Sequence, residues 1–284
     1  MELYISDLDG TLLNHEHRVS ETSAAIINGL IENRGLNFSV ATARNIGTGF
    51  DKIAPLRLRT PVSFMNGVFI YEQNDPKPLS VIPLPAAQAE ILLKEAKKVG
   101  ASPMFYSLNN RTDKIELQYA DLNFPARREF YEARKNSVYK QFIRADDYVF
   151  RDECTPVYIN FLEEYDVLLR VQPIIESLPD INSVFYFDPV LRAWYLESFS
   201  AKAGKAAGAK TIAEMIGADR IVCFGDNEND RSMFEIADEC YAAANADEPI
   251  KAIADGVIGS CSEDGVAKFL LHRFSQTDCL KTRD

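Results

Sequence analysis

The stretch Ile5-Ser6-Asp7-Leu8-Asp9-Gly10-Thr11-Leu12 constrains the fold more than any other part of the chain. Leu3, Tyr4 and Ile5 form a short apolar run of the kind buried in a parallel sheet, and they lead at once into two carboxylates and a glycine. The acids therefore stand where a strand ends and a loop begins, and in an open α/β sheet the carboxyl ends of the strands are where ligands bind. Carboxylates at i and i+2 repel one another, which a fold tolerates when a cation or a shared proton compensates. The alternative is a solvated acidic turn, for which Asp-Gly is common chemistry.

The following residues place this stretch in a βαβ unit. Ser20 is suited to cap a helix carrying Ile26, Ile27, Leu30 and Ile31 on one face, and Gly35 to stop it. Leu36 to Ala41 reads as a second strand, ending in Thr42-Ala43-Arg44-Asn45. Strand, helix, strand at this length implies parallel pairing and a right-handed crossover. Thr42 then falls beside Asp7, either as a hydroxyl and N–H donor to an anion or as the N-cap of a helix over Asn45 to Ile53. Asn66-Gly67 reads as a turn between a strand at Val62 to Phe64 and a β excursion over Val68 to Tyr71 and Leu79 to Leu84.

From about Pro83 to Ala193 the texture changes. Amphipathic stretches at Ala86 to Val99, Asn123 to Arg134 and Tyr165 to Ser177 mix with β runs at Lys114 to Tyr119, Val157 to Leu162 and Val184 to Phe187. The α/β rhythm then returns. Lys202 and Lys205 open a helix closed by Gly217, and Ile221 to Phe224 is a buried-type strand running into Gly225-Asp226-Asn227-Glu228-Asn229-Asp230. A helix at Arg231 to Ala237, a strand at Cys240 to Ala243, a helix at Glu248 to Ala254, a strand at Val257-Ile258 and a helix at Gly265 to Phe274 follow, with an unpatterned tail over 275–284. The expected architecture is α/β: a Rossmann-like parallel sheet flanked by helices, from residues 1–83 and 194–284, with an α+β cap inserted over 84–193.

Composition narrows the partners. A formal net charge of -11 argues against non-specific binding to nucleic acid or anionic membrane. No apolar run approaches the roughly 20 residues of a membrane span, and no signal-peptide core precedes the first strand. Cys154, Cys223, Cys240, Cys261 and Cys279 are scattered without CxxC spacing. A reduced, cytoplasmic protein is the expectation.

Asp7, Asp9, Asp226 and Asp230 offer carboxylates that a parallel sheet can bring to one crevice, and hard oxygen ligands favour Mg²⁺ over zinc or copper. His15, His17 and His272 form no metal-type cluster. Carboxylates, a cation, a hydroxyl donor and a lysine suit phosphoryl transfer, and no GxxxxGK[ST] loop is present. One carboxylate can attack phosphorus while a second protonates the leaving alkoxide and then activates water. The spacing of Asp7 and Asp9 suits that division of labour.

Asp7-Leu8-Asp9-Gly10-Thr11, Thr42, a helix-opening lysine and Gly225-Asp226-Asn227-Glu228-Asn229-Asp230 together resemble the haloacid dehalogenase (HAD) superfamily, and within it the Cof-type phosphatases with a C2B cap. Asn66-Gly67 and Glu263-Asp264-Gly265-Val266 are also similar to that subfamily. The resemblance implies a Mg²⁺-dependent phosphatase acting on a small phosphorylated metabolite. Asp7 would be the nucleophile and Asp9 the acid/base. Mg²⁺ would be held by Asp7, the Asp9 carbonyl and Asp226, with Asp230 supporting. Phosphate would be held by Thr42, Ala43, the Leu8 N–H, Lys205 and Asn229. The family usually writes Lys-Gly where this chain has Lys205-Ala206, which keeps Lys202 as the alternative lysine. Sugar phosphates are the broad expectation for substrate, with flavin precursors, flavin mononucleotide or pyridoxal phosphate also in range. A phosphomutase and a non-catalytic phospho-ligand sensor are the rival readings.

Overall fold

The computed structural model describes residues 1–188 and 190–281, with side chains to residue 276. The chain forms two compact units, one from Met1–Ser80 and the segment from Gly204 onward, the other from Val81–Ala203.

The first segment carries β1 (Glu2–Ser6), α1 (Glu21–Arg34), β2 (Asn37–Val40), α2 (Ile46–Ile53), β3 (Val62–Phe64), β4 (Phe69–Tyr71) and β5 (Pro78–Val81). Ser20 caps α1 by accepting the Ser23 N–H, and Gly35 ends it in the left-handed region. Ala24, Ile27, Leu30 and Ile31 face the core, while Ile26 is only half-buried. Asn45 caps α2, its side chain accepting from the Gly47 and Thr48 N–H groups. Strands β3, β4 and β5 make a separate three-stranded sheet.

The inserted unit contains α3 (Ala86–Lys98), β6 (Met104–Asn109), β7 (Lys114–Tyr119), α4 (Pro125–Glu132), β8 (Lys140–Arg144), β9 (Cys154–Glu163), α5 (Tyr165–Glu176), β10 (Ile181–Asp188) and β11 (Ala193–Ser200). Its six strands form one sheet in the order β10-β11-β9-β6-β7-β8. Helices α3 and α5 cover one face through Leu92, Leu93, Leu168, Val171 and Ile175, packed on Phe105, Ile159, Phe161 and Leu196. The unit boundary falls after β11, at Ala203, rather than at the expected 193/194 join. The reason is pairing: β11 runs antiparallel to both β10 and β9. Strands β6, β8 and β11 escaped the sequence reading because their apolar residues lack clean alternation.

The chain returns with α6 (Lys205–Ile216), β12 (Arg220–Gly225), a 3-10 turn at Glu228–Asp230, α7 (Arg231–Phe234), β13 (Glu239–Ala243), α8 (Glu248–Lys251), β14 (Gly256–Ile258) and α9 (Gly265–Lys281). The sheet order is β14-β13-β12-β1-β2, with every neighbouring pair parallel. This is the Rossmann-like arrangement expected. One face packs Leu3, Ile5 and Cys223 against Ala209, Ile212, Ala213, Met233 and Ile250. The other sets Tyr4 and Phe224 against Phe274 and Phe269 of α9. Helix α9 continues past Phe274 to Lys281, through most of the stretch read as an unpatterned tail, while residues 282–284 lie outside the described ones. Cys154, Cys223, Cys240 and Cys261 are free thiols, and the side chain of Cys279 lies outside the described residues. Among the described residues no helix is long and apolar enough to cross a membrane.

One backbone contact sets where α6 begins. Met65, Asn66 and Gly67 all have positive φ (51°, 53° and 78°), so the turn reverses tightly after β3. A Cβ on Gly67 would sit 2.1 Å from the Gly204 carbonyl oxygen, a separation only glycine permits. Gly67→Ala is expected to cost more than about 1 kcal/mol, because it adds strain at positive φ to a backbone clash. Gly29, in the interior of α1 with nothing near its missing Cβ, is the control. Gly29→Ala should stabilise by about 0.5–1 kcal/mol. Chemical denaturation of the two variants beside wild type checks both signs.

Candidate active site

The site grows from the adjacency of β1 and β12. Ser6 is in register with Phe224, and the Asp7 N–H donates to the Phe224 carbonyl at 3.0 Å. The two acidic strand ends therefore leave the sheet side by side. Beyond Asp7 the Leu8 carbonyl accepts the N–H groups of Leu12 (3.1 Å) and Leu13 (2.8 Å), which folds the loop back on itself. Gly10 turns there at φ 78° with Asp226 pressed against it: a Cβ would meet Asp226 Oδ2 at 2.2 Å. The Thr11 hydroxyl donates to Asp226 Oδ1 at 2.8 Å.

Lys205 lies at the centre. Its Nζ is 2.7 Å from Asp7 Oδ1, 2.6 Å from Asp230 Oδ1 and 3.3 Å from Asn229 Oδ1, and it is fully buried. Burial opposes its charge, but Asp230 and Asp7 outweigh that and raise its pKa. Asp230 is committed as a scaffold, since its Oδ2 accepts the Asp226 N–H (2.9 Å) and the Asn227 N–H (3.1 Å). Burial pushes the Asp7 carboxyl well up, with Lys205 pulling the other way and Asp230 and Asp226 adding to the rise. Asp226 is pushed up to about 6, chiefly by burial, against the Thr11 hydrogen bond. The alternative lysine, Lys202, is exposed.

Thr42 is buried at the end of β2. Its N–H is taken by the Ser63 carbonyl at 3.0 Å, so of the two donors expected from it the hydroxyl is the one left to offer. That hydroxyl accepts the Arg44 N–H at 3.2 Å. Ala43 beside it is half-buried. Asp9 is set apart from Asp7: its side chain is 43% exposed, against 7% for Asp7. Arg44 grips it in a two-pronged pair, Nε to Oδ2 and Nη2 to Oδ1, both 2.6 Å. His17 Nδ1 stands 3.7 Å from Asp9 Oδ1. Sequence reasoning missed Arg44. The only sign of it was a cation two residues beyond Thr42 at a strand's carboxyl end. Asn245 was missed as well; its Nδ2 donates to the Gly10 carbonyl at 2.7 Å and steadies the acidic loop.

A divalent cation fits this chemistry. Asp7, Asp226 and Asp230 bring carboxylate oxygens within 4.8 Å of one another, and the Lys205 ammonium contacts two of them. Burial, and after it the neighbouring carboxylates, raise the pKa values of Asp7 and Asp226 against the opposing charge of Lys205, and a further cation there would favour the charged carboxylates. All donors are oxygen, the set that suits hard cations such as Mg²⁺, Ca²⁺ or Mn²⁺.

The family model for haloacid dehalogenase-like hydrolases matches residues 4–270. The chain is 27% identical over 277 residues to the 5-amino-6-(5-phospho-D-ribitylamino)uracil phosphatase YitU of Bacillus subtilis (strain 168), covering 95% of this chain and 96% of that protein. It is 25% identical over 291 residues to the pyridoxal phosphate phosphatase YbhA of Escherichia coli (strain K12), covering 93% and 95%. Among solved structures, a haloacid dehalogenase-like hydrolase from Bacteroides thetaiotaomicron superposes with a TM-score of 0.75 at 22% identity, covering 96% of this chain and 99% of that one. With acids at two adjacent strand ends, a buried lysine between them and a family match over nearly its whole length, this chain belongs to the haloacid dehalogenase-like hydrolases.

Proposed function

We propose that the chain is a Mg²⁺-dependent phosphomonoesterase that hydrolyses a small phosphorylated metabolite through an aspartyl-phosphate on Asp7. The observation that carries this reading is Asp7 itself, a buried carboxylate at a strand end, held by Lys205 and flanked by Asp226 and Asp230. Asp7 attacks phosphorus as the ester P–O bond breaks, and Asp9 gives the leaving alkoxide its proton. Asp9 then takes a proton from water, the water oxygen attacks phosphorus, and inorganic phosphate leaves with Asp7 restored. Lys205, the Thr42 hydroxyl, Asn229 and the backbone N–H groups of Leu8 and Ala43 hold the phosphoryl oxygens. Asp7, Asp226 and the Asp9 carbonyl would hold Mg²⁺, whose charge offsets that of the phosphoryl group. Arg44 orients Asp9, and one prong of that pair opens when a carboxylate oxygen carries the proton that Asp9 gives and then takes. The inserted unit is assigned the choice of leaving group. The names of the relatives put pyridoxal phosphate and 5-amino-6-(5-phospho-D-ribitylamino)uracil on the substrate panel beside sugar phosphates.

Phosphate release from that panel, with Mg²⁺ or with EDTA, is the direct test. Turnover is expected with Mg²⁺, lost in EDTA and undetectable in Asp7→Asn. Folded wild type that releases no phosphate from any ester with Mg²⁺ present sinks the phosphatase, and isomerised product without free phosphate replaces it with a mutase.

Asp9 and Arg44 are separable from Asp7. Asp9→Asn should lower kcat about 10²- to 10⁴-fold, the usual contribution of a general acid/base. Arg44→Met should lower it about 10²-fold by misplacing that carboxylate and change the pH profile. Arg44→Lys should restore only part, because an ammonium cannot reproduce the guanidinium fork. An Arg44→Met enzyme with the parent's kcat and pH profile would remove Arg44 from the mechanism.

Metal binding should depend on pH through Asp226. Its folded pKa lies above the usual aspartate value, so the folded state takes up this proton between about pH 4 and 6, and a cation must displace it there. Added Mg²⁺ is therefore expected to raise Tm at pH 8 and to lose most of that effect below about pH 6. Thermal melts with and without Mg²⁺ at the two pH values check it, and an equal shift at both would show that Asp226 is not a ligand.

A further inference from the structure

The face of the inserted sheet opposite α3 and α5 holds two cations that the proposed chemistry does not use. Lys140, at the start of β8, is buried, and its Nζ has no hydrogen-bond partner among the described residues. Around it are the rings of Tyr106, Phe130 and Phe142, with centroids 4.8, 5.4 and 5.8 Å away. Arg134, just beyond α4, lies against the same Phe130 ring, its Cζ 4.2 Å from the centroid. Its Nη1 donates to the Phe130 carbonyl at 3.4 Å, and its Nε is buried without a hydrogen-bond partner among the described residues.

No carboxylate among the described residues forms an ion pair with either cation. The buried acid Glu197 is occupied elsewhere: the hydroxyls of Tyr158 (2.8 Å) and Tyr186 (3.2 Å) donate to it. Burial, and after it the like charge of Arg134, pull the Lys140 ammonium down to about 7. A buried ammonium with neither carboxylate nor hydrogen-bond acceptor is costly. Aromatic rings offset part of that cost, but they do nothing for the N–H donors. A guanidinium beside a buried amine, both with unmatched donors among the described residues, suits an oxyanion, whose arrival would favour the charged form of the amine.

We propose that Lys140 and Arg134 form an anion-binding subsite within the inserted unit, taking a phosphate or carboxylate group of a small molecule. The part-exposed Arg134 meets the anion first and its fork orients it. Lys140 then supplies the buried donor beneath. The subsite belongs to the inserted unit alone, and its test does not depend on the Asp7 chemistry.

The test reads Lys140 directly. The full chain, labelled with [¹⁵N]lysine, is titrated with inorganic phosphate and separately with malonate while the Lys140 Nζ resonance, assigned by its loss in Lys140→Met, is followed by NMR. A saturable shift is expected, weakened at least about tenfold by Arg134→Met, the loss of one charge-assisted pair. Response to phosphate alone or to malonate alone assigns the anion. Should Arg134→Met fail to fold, Arg134→Lys keeps the charge, loses the fork and should still weaken the shift. A Lys140 resonance that ignores both anions while that of Lys205 moves with phosphate overturns the subsite and leaves Lys140 a structural amine in an aromatic cage. An unchanged titration in a folded Arg134 variant overturns it equally. Neither result touches the phosphatase reading, which is judged at Asp7.

Discussion

The ion contact of Lys205 with Asp7 and Asp230 is the constraint on which the first unit depends. Lys205 is the first residue of α6, where the partial positive charge of the helix N-terminus disfavours a cation, and no side chain caps that end. Locally the placement is poor. Globally it is required, since Asp7 and Asp230 are both buried and would otherwise face each other unbalanced. Removing one partner of such a buried set typically costs about 3–5 kcal/mol. A residue that breaks the local rule and is held by two distant carboxylates marks where function has overruled propensity.

The acidic loop holds its two aspartates in opposite conditions. Asp7 is sealed in, with a fixed ammonium and a fixed backbone bond to β12. Asp9, two residues on, points to a wetter place and is held by a guanidinium on the next strand's loop. Carboxylates close in sequence but different in environment can take different chemical parts. In the proposed reaction the nucleophile Asp7 must not wander, whereas Asp9, which would exchange protons with a leaving group and with water, must be reachable.

The sequence made some of this legible and hid the rest for physical reasons. The apolar runs before Asp7 and Asp226 have one meaning in a parallel sheet, so the core fold and the meeting of those two carboxylates could be read in advance. The helix cap at Ser20 and the stops at Gly35 and Gly217 were equally plain, being local, whereas α2 is capped by Asn45 and not by Thr42, the cap that the sequence suggested. Arg44 was hidden because its meaning is a contact with Asp9 across 35 positions, and a lone arginine after a strand carries no such signal. The place where the inserted unit ends was hidden because β11 is defined by its neighbours β9 and β10 rather than by its own alternation. Lys140 was hidden most completely: a lysine inside Tyr139-Lys140-Gln141 reads as surface until its three aromatic neighbours arrive from β6, α4 and β8.

The close approach of Gly67 to Gly204 has a consequence for how such a chain can diversify. These residues are separated by the whole inserted unit, yet their backbones touch and thereby fix the point at which the returning chain must re-enter the sheet domain. Whatever lies between need only bring its end back to that anchor. The entropy of closing an excursion grows with the logarithm of its length, about 0.6 kcal/mol for each doubling. A lineage can therefore lengthen, shorten or exchange the intervening module at little thermodynamic cost while the lysine that follows the anchor stays in place. Two small residues thus act as a socket that keeps the place of that lysine constant and leaves the inserted unit free to change.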